Sequence, residues 1–124
     1  MEQTRTARTL YHIAHLDAWM QAVPKGVYGL EDAGGPDPFI HLSTATQAEE
    51  SAERHFAGQE GLVLLVIDAA RIKGDLKWET VPARDNDAFP HLFGSIPLEA
   101  VRSVEPLPLL PDGKLDFPFL KDDS

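Results

Sequence analysis

Five histidines are the residues of this chain best suited to chemistry near neutral pH. His41 and His91 each lie within a short apolar segment, Phe-Ile-His-Leu and Phe-Pro-His-Leu. A polar ring in such a segment must find a partner inside the fold or line a cavity. A single histidine of this kind is more often a satisfied core residue. Two in similar settings, together with His12, favour a shared site, so we predict His41 and His91 as catalytic candidates.

Two hydroxyl residues follow His41 directly. Ser43 and Thr44 precede a predicted helix, and Thr44 with Gln47 has the spacing of a capping box. Capping is the ordinary role of a threonine there, but a helix N-terminus also presents free backbone N–H groups that suit a phosphate or another anion. Both roles are compatible, so Ser43 and Thr44 are candidates to bind a ligand or cofactor.

One carboxylate is a third catalytic candidate. Glu79 follows Trp78 near the end of an alternating segment, where an exposed structural carboxylate is the commoner outcome. In a pocket beside His41 or His91 it would orient a hydroxyl or stabilise a cationic transition state. The nearby run 84–87 (Arg-Asp-Asn-Asp) is interpreted as a solvated loop without the spacing of a metal-binding loop.

The spacing of the histidines gives little support for a metal site. His12 and His15 would point to opposite faces of one strand. A site built from His12, His41 and His91 would need three rings to converge, so no metal is expected. The glycine-rich, phosphate-loop, Gly-x-Ser-x-Gly and His-Glu-x-x-His patterns are also missing, which argues against common nucleotide-hydrolase, Rossmann, esterase and zincin functions.

Composition limits the partners. The chain has 124 residues, with 20 acidic and 11 basic side chains and a net charge of −9, and it has no cysteine. Its length predicts a single domain over residues 1–124. The charge argues against nucleic acid and anionic membranes as partners, but a basic pocket inside an acidic shell can still take a small phosphate-bearing ligand. The polar N-terminus, the short apolar runs and the lack of cysteine predict a cytoplasmic protein without a membrane span.

Hydrophobic patterning predicts an α+β fold in which short strands position these residues. The segment 62–68 is apolar at consecutive positions, so it should be buried on both faces. We expect loops or turns at 31–38, 72–74, 82–90 and 94–97, a loose start at 1–8 and a proline-rich wrapped tail at 105–124. The predicted helices are Ala18–Val23 and Ala45–Phe56, and the predicted strands are Leu10–Ile13, Val27–Tyr28, Phe39–Leu42, Leu62–Asp68, Leu76–Val81, His91–Phe93 and Val101–Val104.

Several of these segments, in this order, resemble the domain-of-unknown-function family 952 of bacteria and plants. The resemblance runs from about Leu10 to Val104 and is most specific where FIHLST and FPHLFG occur together. The family has no established activity. It is similar to the ADP-ribosyltransferase-like group, which holds NAD in a cleft between two small antiparallel sheets. The resemblance therefore implies two short antiparallel sheets with two main helices.

The same resemblance implies roles for particular residues. His12 would match the histidine that hydrogen-bonds the ribose on the nicotinamide side, and His41 and Ser43 would match the strand that supports the ligand. Glu79 would match the acidic residue that positions a ribose 2′-hydroxyl. Ile-His-Leu-Ser is also similar to a segment of RNA 2′-phosphotransferases, but the basic residues with which those enzymes hold phosphate have no clear counterpart here.

Three functions follow from these observations. The first is a transferase that uses NAD or ADP-ribose, with a cleft of histidine, serine and glutamate side chains. The second is a regulatory module or a small-molecule-binding module on the same fold, without catalysis. The third, and least favoured, is a metal site that uses His12, His41 and His91.

Overall fold

Seven strands and four α-helices make up the described part of the chain, residues 8–122 of this computed structural model. A loose start was predicted for residues 1–8. All of these residues except Arg8 lie outside the described part of the chain. In chain order the elements are β1 (Thr9–His15), α1 (Leu16–Ala22), β2 (Val27–Tyr28), α2 (Leu30–Ala33), β3 (Ile40–His41), α3 (Ala45–His55), β4 (Leu62–Asp68), β5 (Lys73–Val81), β6 (Asp87–Pro97), β7 (Val101–Pro106) and α4 (Pro118–Asp122).

The first sheet has three antiparallel strands in the order β1-β4-β7. Its central strand β4 is the apolar segment 62–68, and residues 62–67 are all buried. Val63, Leu65 and Ile67 pack into one core cluster, while Leu64 and Val66 pack into another on the opposite face. The prediction that this strand is buried on both faces is confirmed.

The second sheet is built around β6. Strand β5 pairs with β6 from Lys73 opposite Ser95 to Val81 opposite Asp87. On the other edge of β6, the two-residue strands β2 and β3 each pair with a different part of β6. A backbone bridge between Tyr11 and Ser43 joins the two sheets. Each backbone nitrogen donates to the other residue's carbonyl oxygen at a nitrogen-to-oxygen distance of 2.8 Å. The predicted α+β class with two antiparallel sheets is confirmed.

The core lies in two layers, one on each side of the first sheet. The layer between the sheets contains Ile40, Leu42 and Leu92. The layer on the outer face contains Ala48 and Ala52 of α3 together with residues from the C-terminal tail. Three tail residues are only 3%, 8% and 1% exposed, namely Leu107, Leu115 and Phe117. The tail that was predicted to wrap around the domain thus also contributes these three side chains to the core beneath α3.

The β5–β6 hairpin corrects three predictions. Two of the three residues in the turn expected at 72–74 belong to β5, and the turn expected at 94–97 lies within β6. The loop expected at 82–90 shortens because β6 begins at Asp87. Gly74 and Gly94 face each other across the hairpin, where a Cβ on Gly94 would clash with the backbone of Lys73. The glycines thus permit close strand contact instead of forming turns.

Helix boundaries follow local capping. Helix α3 begins as predicted after Thr44, whose backbone N–H donates to Oε1 of Gln47 at 3.1 Å. Helix α2 lies largely inside the loop predicted for 31–38, because the N–H of Gly29 donates to the Asp32 carboxylate at 2.8 Å and so starts a helical turn. Within residues 8–122, every helix is too short or too polar to cross a bilayer.

Candidate functional site

A pocket of about 780 Å³ opens where the two sheets meet beside the C-terminal half of α3. Its walls come from strands β1, β2, β3, β5 and β6, from helix α3, and from the segments before β3 and after β5. Five histidines and two arginines line it, namely His12, His15, His41, His55, His91, Arg54 and Arg84. All five histidines of the chain therefore meet in one cavity.

Strand alternation explains how His41 and His91 reach this pocket. They are direct partners in the β3–β6 pairing, so their side chains project from the same face of the sheet. Their neighbours Ile40 and Leu92 project from the other face, into the core between the sheets. The two imidazole centroids lie 5.3 Å apart, and Phe39 stacks on His91 with a centroid distance of 4.0 Å. The two histidines that sequence singled out thus lie together.

Glu79 holds the ring of His91. Nδ1 of His91 donates to Oε1 of Glu79 at 2.7 Å. A carboxylate only accepts, so Nδ1 carries the hydrogen and Nε2 is the basic nitrogen of the neutral ring. Glu79 comes from β5, diagonally across from His91. Its carboxylate is absent from the lining of the pocket, so it acts there through His91.

His12 is held by two hydrogen bonds within the protein. Nδ1 donates to the backbone oxygen of His41 at 2.7 Å, which leaves Nε2 to accept from the Tyr28 hydroxyl at 2.9 Å. Burial, opposed by the bond to the His41 carbonyl, lowers the pKa of His12 to about 4. Burial also raises the pKa of Tyr28, so its hydroxyl keeps the proton that it donates. A ligand near His12 would therefore meet the Tyr28 oxygen as an acceptor.

The side chains of His41 and Asp37 lie at the mouth of the pocket. Nε2 of His41 lies 2.8 Å from Oδ2 of Asp37, and the two side chains are 61% and 46% exposed. Asp37 is the one carboxylate residue among the described residues that line the cavity. The His41–Asp37 pair is thus open to solvent, whereas the His91 ring is buried.

Arg84 is a site residue that sequence analysis missed. The run 84–87 was predicted to be solvated, yet Arg84 is only 9% exposed and lines the pocket. Its guanidinium lies 4.3 Å from the Phe89 ring centroid, and Nη2 donates to Oγ of Ser51 at 3.3 Å. No local pattern reveals this position, because it depends on the hairpin placing residue 84 against α3.

The hydroxyl residues occupy two different environments. Ser43 is buried and lines the pocket, and its Oγ lies 3.4 Å from Oγ of Ser51. Thr44 is the N-cap of α3 and is absent from the lining. Among the predicted ligand-binding residues, the pocket therefore brings His12 and Ser43 together and leaves Thr44 outside.

The last turn of α3 contributes further basic groups. Arg54 and His55 both line the pocket. Partial burial lowers the pKa of His55, and the charges of Arg84, His41 and Arg54 lower it further. Over residues 8–122 there is no group of three or more histidine, cysteine or acidic side chains arranged to hold a metal ion.

Comparison with known proteins places the chain in a family. A family model described as "Protein of unknown function (DUF952)" matches residues 13–104. The chain belongs to the DUF952 family. A crystal structure of protein CC0527 from Caulobacter crescentus is similar to this DUF952 chain, with 34% identity and a TM-score of 0.79, over 91% of this chain and 98% of that one. A double mutant of CC0527 gives the same values.

A solution structure of CC0527 agrees with this result. Its identity to the chain is 35% and its TM-score is 0.72, with 95% of this chain and 97% of that one covered. A search of curated proteins gives no match. The relatives thus support the fold and the family, and any activity must be inferred from the pocket itself.

Proposed function

We propose that this DUF952 protein is a small-molecule transferase that binds NAD or ADP-ribose in the pocket and transfers the ADP-ribosyl group. The proposal depends on one observation above all. The chain carries a net charge of −9, yet its five histidines and two arginines converge on one cavity, with Asp37 as the sole carboxylate residue in the described lining. The two guanidinium groups and the presence of only one carboxylate in the described lining favour a small anionic ligand, while the charge of the remaining surface repels RNA.

The dimensions and walls of the pocket suit such a ligand. A volume of about 780 Å³ lies within the usual range for small-molecule sites. Phe39, Phe56 and Phe89 line the cavity and offer flat apolar surfaces to a base or nicotinamide ring. The position between two antiparallel sheets also agrees with the resemblance to the ADP-ribosyltransferase-like group.

His91 is the residue best placed for proton transfer. Glu79 fixes the hydrogen on Nδ1, so Nε2 is available as a general base. In the proposed transfer, the bond between the ribose carbon and the nicotinamide nitrogen breaks, and the same carbon bonds to an acceptor oxygen. The acceptor proton passes to Nε2 of His91, and nicotinamide leaves as a neutral molecule.

A second candidate, binding without catalysis, is favoured by a different observation. The Glu79 carboxylate is absent from the lining, and both ring nitrogens of His12 have partners within the protein. A transferase normally stabilises the positive charge that develops on the sugar, and no buried carboxylate of the described lining is placed to do so. The same pocket would then hold the ligand without breaking it.

Calorimetric titration of the full chain with NAD and with ADP-ribose tests binding. We expect heat of binding for both ligands, and no binding at millimolar ligand would refute both candidates. Mass spectrometry of released nicotinamide then separates them, because release supports the transferase and binding without release supports the module.

A pair of variants makes this test specific. His91→Asn keeps a donor toward Glu79 but removes the basic Nε2, so nicotinamide release should fall at least tenfold while binding persists. Arg102→Gln, on a surface remote from the pocket lining, should change neither quantity. Equal release by both variants would show that His91 is not the base.

A further inference from the structure

The α3 end of the pocket concentrates positive charge around a buried guanidinium. We call Arg54, His55 and Arg84, together with the hydroxyl of Ser51, the basic pole. Arg84 is the buried member, since its side chain is 7% exposed, while the side chain of Arg54 is 44% exposed. The chemistry proposed for His91 does not use these groups.

The contacts of Arg84 leave its charge incompletely satisfied. Nη2 makes a long bond of 3.3 Å to the neutral Ser51 hydroxyl. Nε is fully buried, has no hydrogen-bond partner among the described residues, and lies 3.6 Å from Oε2 of Glu50. The Phe89 ring adds a cation–π contact at 4.3 Å. A buried cation with so few hydrogen bonds is costly to retain. Because Nε is enclosed by protein, an anion in the pocket would add its hydrogen bonds at the terminal nitrogens of the guanidinium.

The local charge balance also favours an anion. Oε2 of Glu50 is shared, because it lies 3.2 Å from Nε of Arg54 as well as 3.6 Å from Nε of Arg84. Glu50 is 56% exposed and absent from the pocket lining. One carboxylate therefore faces two guanidinium groups, which leaves an excess of positive charge beside the pocket.

We propose that the basic pole binds a phosphate monoester, so that the ligand of this pocket is a nucleotide with a terminal phosphate. A monoester presents three oxygens and a charge of about −1.5 to −2 near pH 7, more than each internal phosphate of NAD. Guanidinium groups match such oxygens with paired hydrogen bonds, and Arg54, Arg84 and Ser51 can each serve one oxygen. The nucleotide part of this inference rests on the proposed function, whereas the phosphate part does not.

NAD and NADP provide a matched test, because they differ by one phosphate monoester. We expect calorimetry of the full chain to give NADP an affinity at least tenfold higher than that of NAD. Inorganic phosphate should bind alone at millimolar concentration and compete with NADP. If NADP and NAD bind equally and phosphate does not compete, the inference is overturned.

Variants assign the effect to the basic pole. Arg84→Gln should reduce the preference for NADP to within threefold, while Arg102→Gln should retain it. Because Arg84 is buried, Arg54→Gln serves as a second variant at a more exposed position, and it should weaken NADP binding at least threefold more than it weakens NAD binding. An unchanged preference in both pole variants would overturn the inference.

The same measurements separate this inference from the proposed function. Binding of inorganic phosphate that Arg84→Gln or Arg54→Gln abolishes, without binding of NAD or NADP, would support the phosphate site and refute the nucleotide function. Binding of NAD and NADP with equal affinity, without competition by inorganic phosphate, would support the function and refute the phosphate site.

Discussion

Nδ1 of His91 and Oε1 of Glu79 lie 2.7 Å apart, so a carboxylate from one strand fixes the ring on the next. The pairing of Lys77 with His91 places Glu79 two residues along β5, on the same face of the sheet. The ring is also stacked against Phe39, which restricts its rotation. His91 thus has both its tautomer and its orientation set by neighbours, as a general base requires.

Replacing Glu79 with alanine should affect turnover more than binding. Loss of the carboxylate leaves the orientation and the tautomer of the His91 ring unfixed, so kcat should fall at least about tenfold, as part of the roughly 10²–10⁴-fold that a positioned general base contributes. KM for the nucleotide should change little, because Glu79 is absent from the pocket lining. Steady-state release of nicotinamide measures kcat and KM. The ¹⁵N chemical shifts of His91 report its tautomer independently of activity.

The control for this variant is Glu99→Ala, which removes an exposed carboxylate from a different part of the chain. It should leave kcat, KM and the His91 tautomer unchanged. A rise in KM with unchanged kcat in Glu79→Ala would show instead that this carboxylate contacts the ligand directly.

Alternation along short strands made much of the fold and part of the site predictable. In Phe-Ile-His-Leu, Ile40 and Leu42 face the core while Phe39 and His41 face the pocket, so a histidine among apolar residues did mark a cavity. The continuous apolar run 62–68 likewise identified the central strand. These features depend on local periodicity, which sequence shows directly.

The features that were missed depend on tertiary contacts. Arg84 resembles a loop residue until the hairpin packs it against Ser51 and Phe89. Gly74 and Gly94 resemble turn residues until strand pairing places them opposite each other. In both cases the deciding neighbour is distant in sequence or on another element, so local propensity gives the wrong result.

Gly94→Ala should destabilise the protein by about 3 kcal/mol. The new Cβ would meet the backbone of Lys73 and Gly74, which cannot move without breaking the β5–β6 pairing. Gly29→Ala is the matched control, because its Cβ would come no closer than 3.9 Å to another group, and its cost should stay below about 1 kcal/mol. Urea unfolding measures both. Equal midpoints would show that the strands can separate at Gly94 without penalty.

Phe117→Ala should cost about 3 to 5 kcal/mol, the range for removal of a buried aromatic ring. Phe117 is 1% exposed and packs in the core layer beneath α3. Leu110→Ala, at a tail position that is 37% exposed, should cost less than about 1 kcal/mol. The difference in urea midpoint tests whether the tail is part of the core. Similar midpoints for the two variants would indicate a tail that only covers the surface.

His12 should make stability depend on pH between about 4 and 6.5. Its pKa is about 4 in the folded protein and 6.5 in the unfolded chain, so the unfolded state binds the proton more readily. Stability is therefore fully present above pH 6.5 and falls as the pH decreases toward 4, by about 3 kcal/mol in total. Proton titration of His12 by NMR should give the low pKa directly, and urea unfolding across this range should give the loss.

Two variants measure the contribution of His12, to which His55 adds in the same direction because its pKa is also lowered. His12→Asn should reduce the dependence of stability on pH to the part that His55 contributes, while His15→Asn, which removes an exposed imidazole from the same strand, should leave it unchanged. If His12→Asn does not fold, the NMR titration of the unmodified chain still shows whether the pKa of His12 is lowered in the folded protein. A measured pKa near 6.5 would mean that the ring is solvated and that the Tyr28–His12–His41 chain of hydrogen bonds does not hold it neutral.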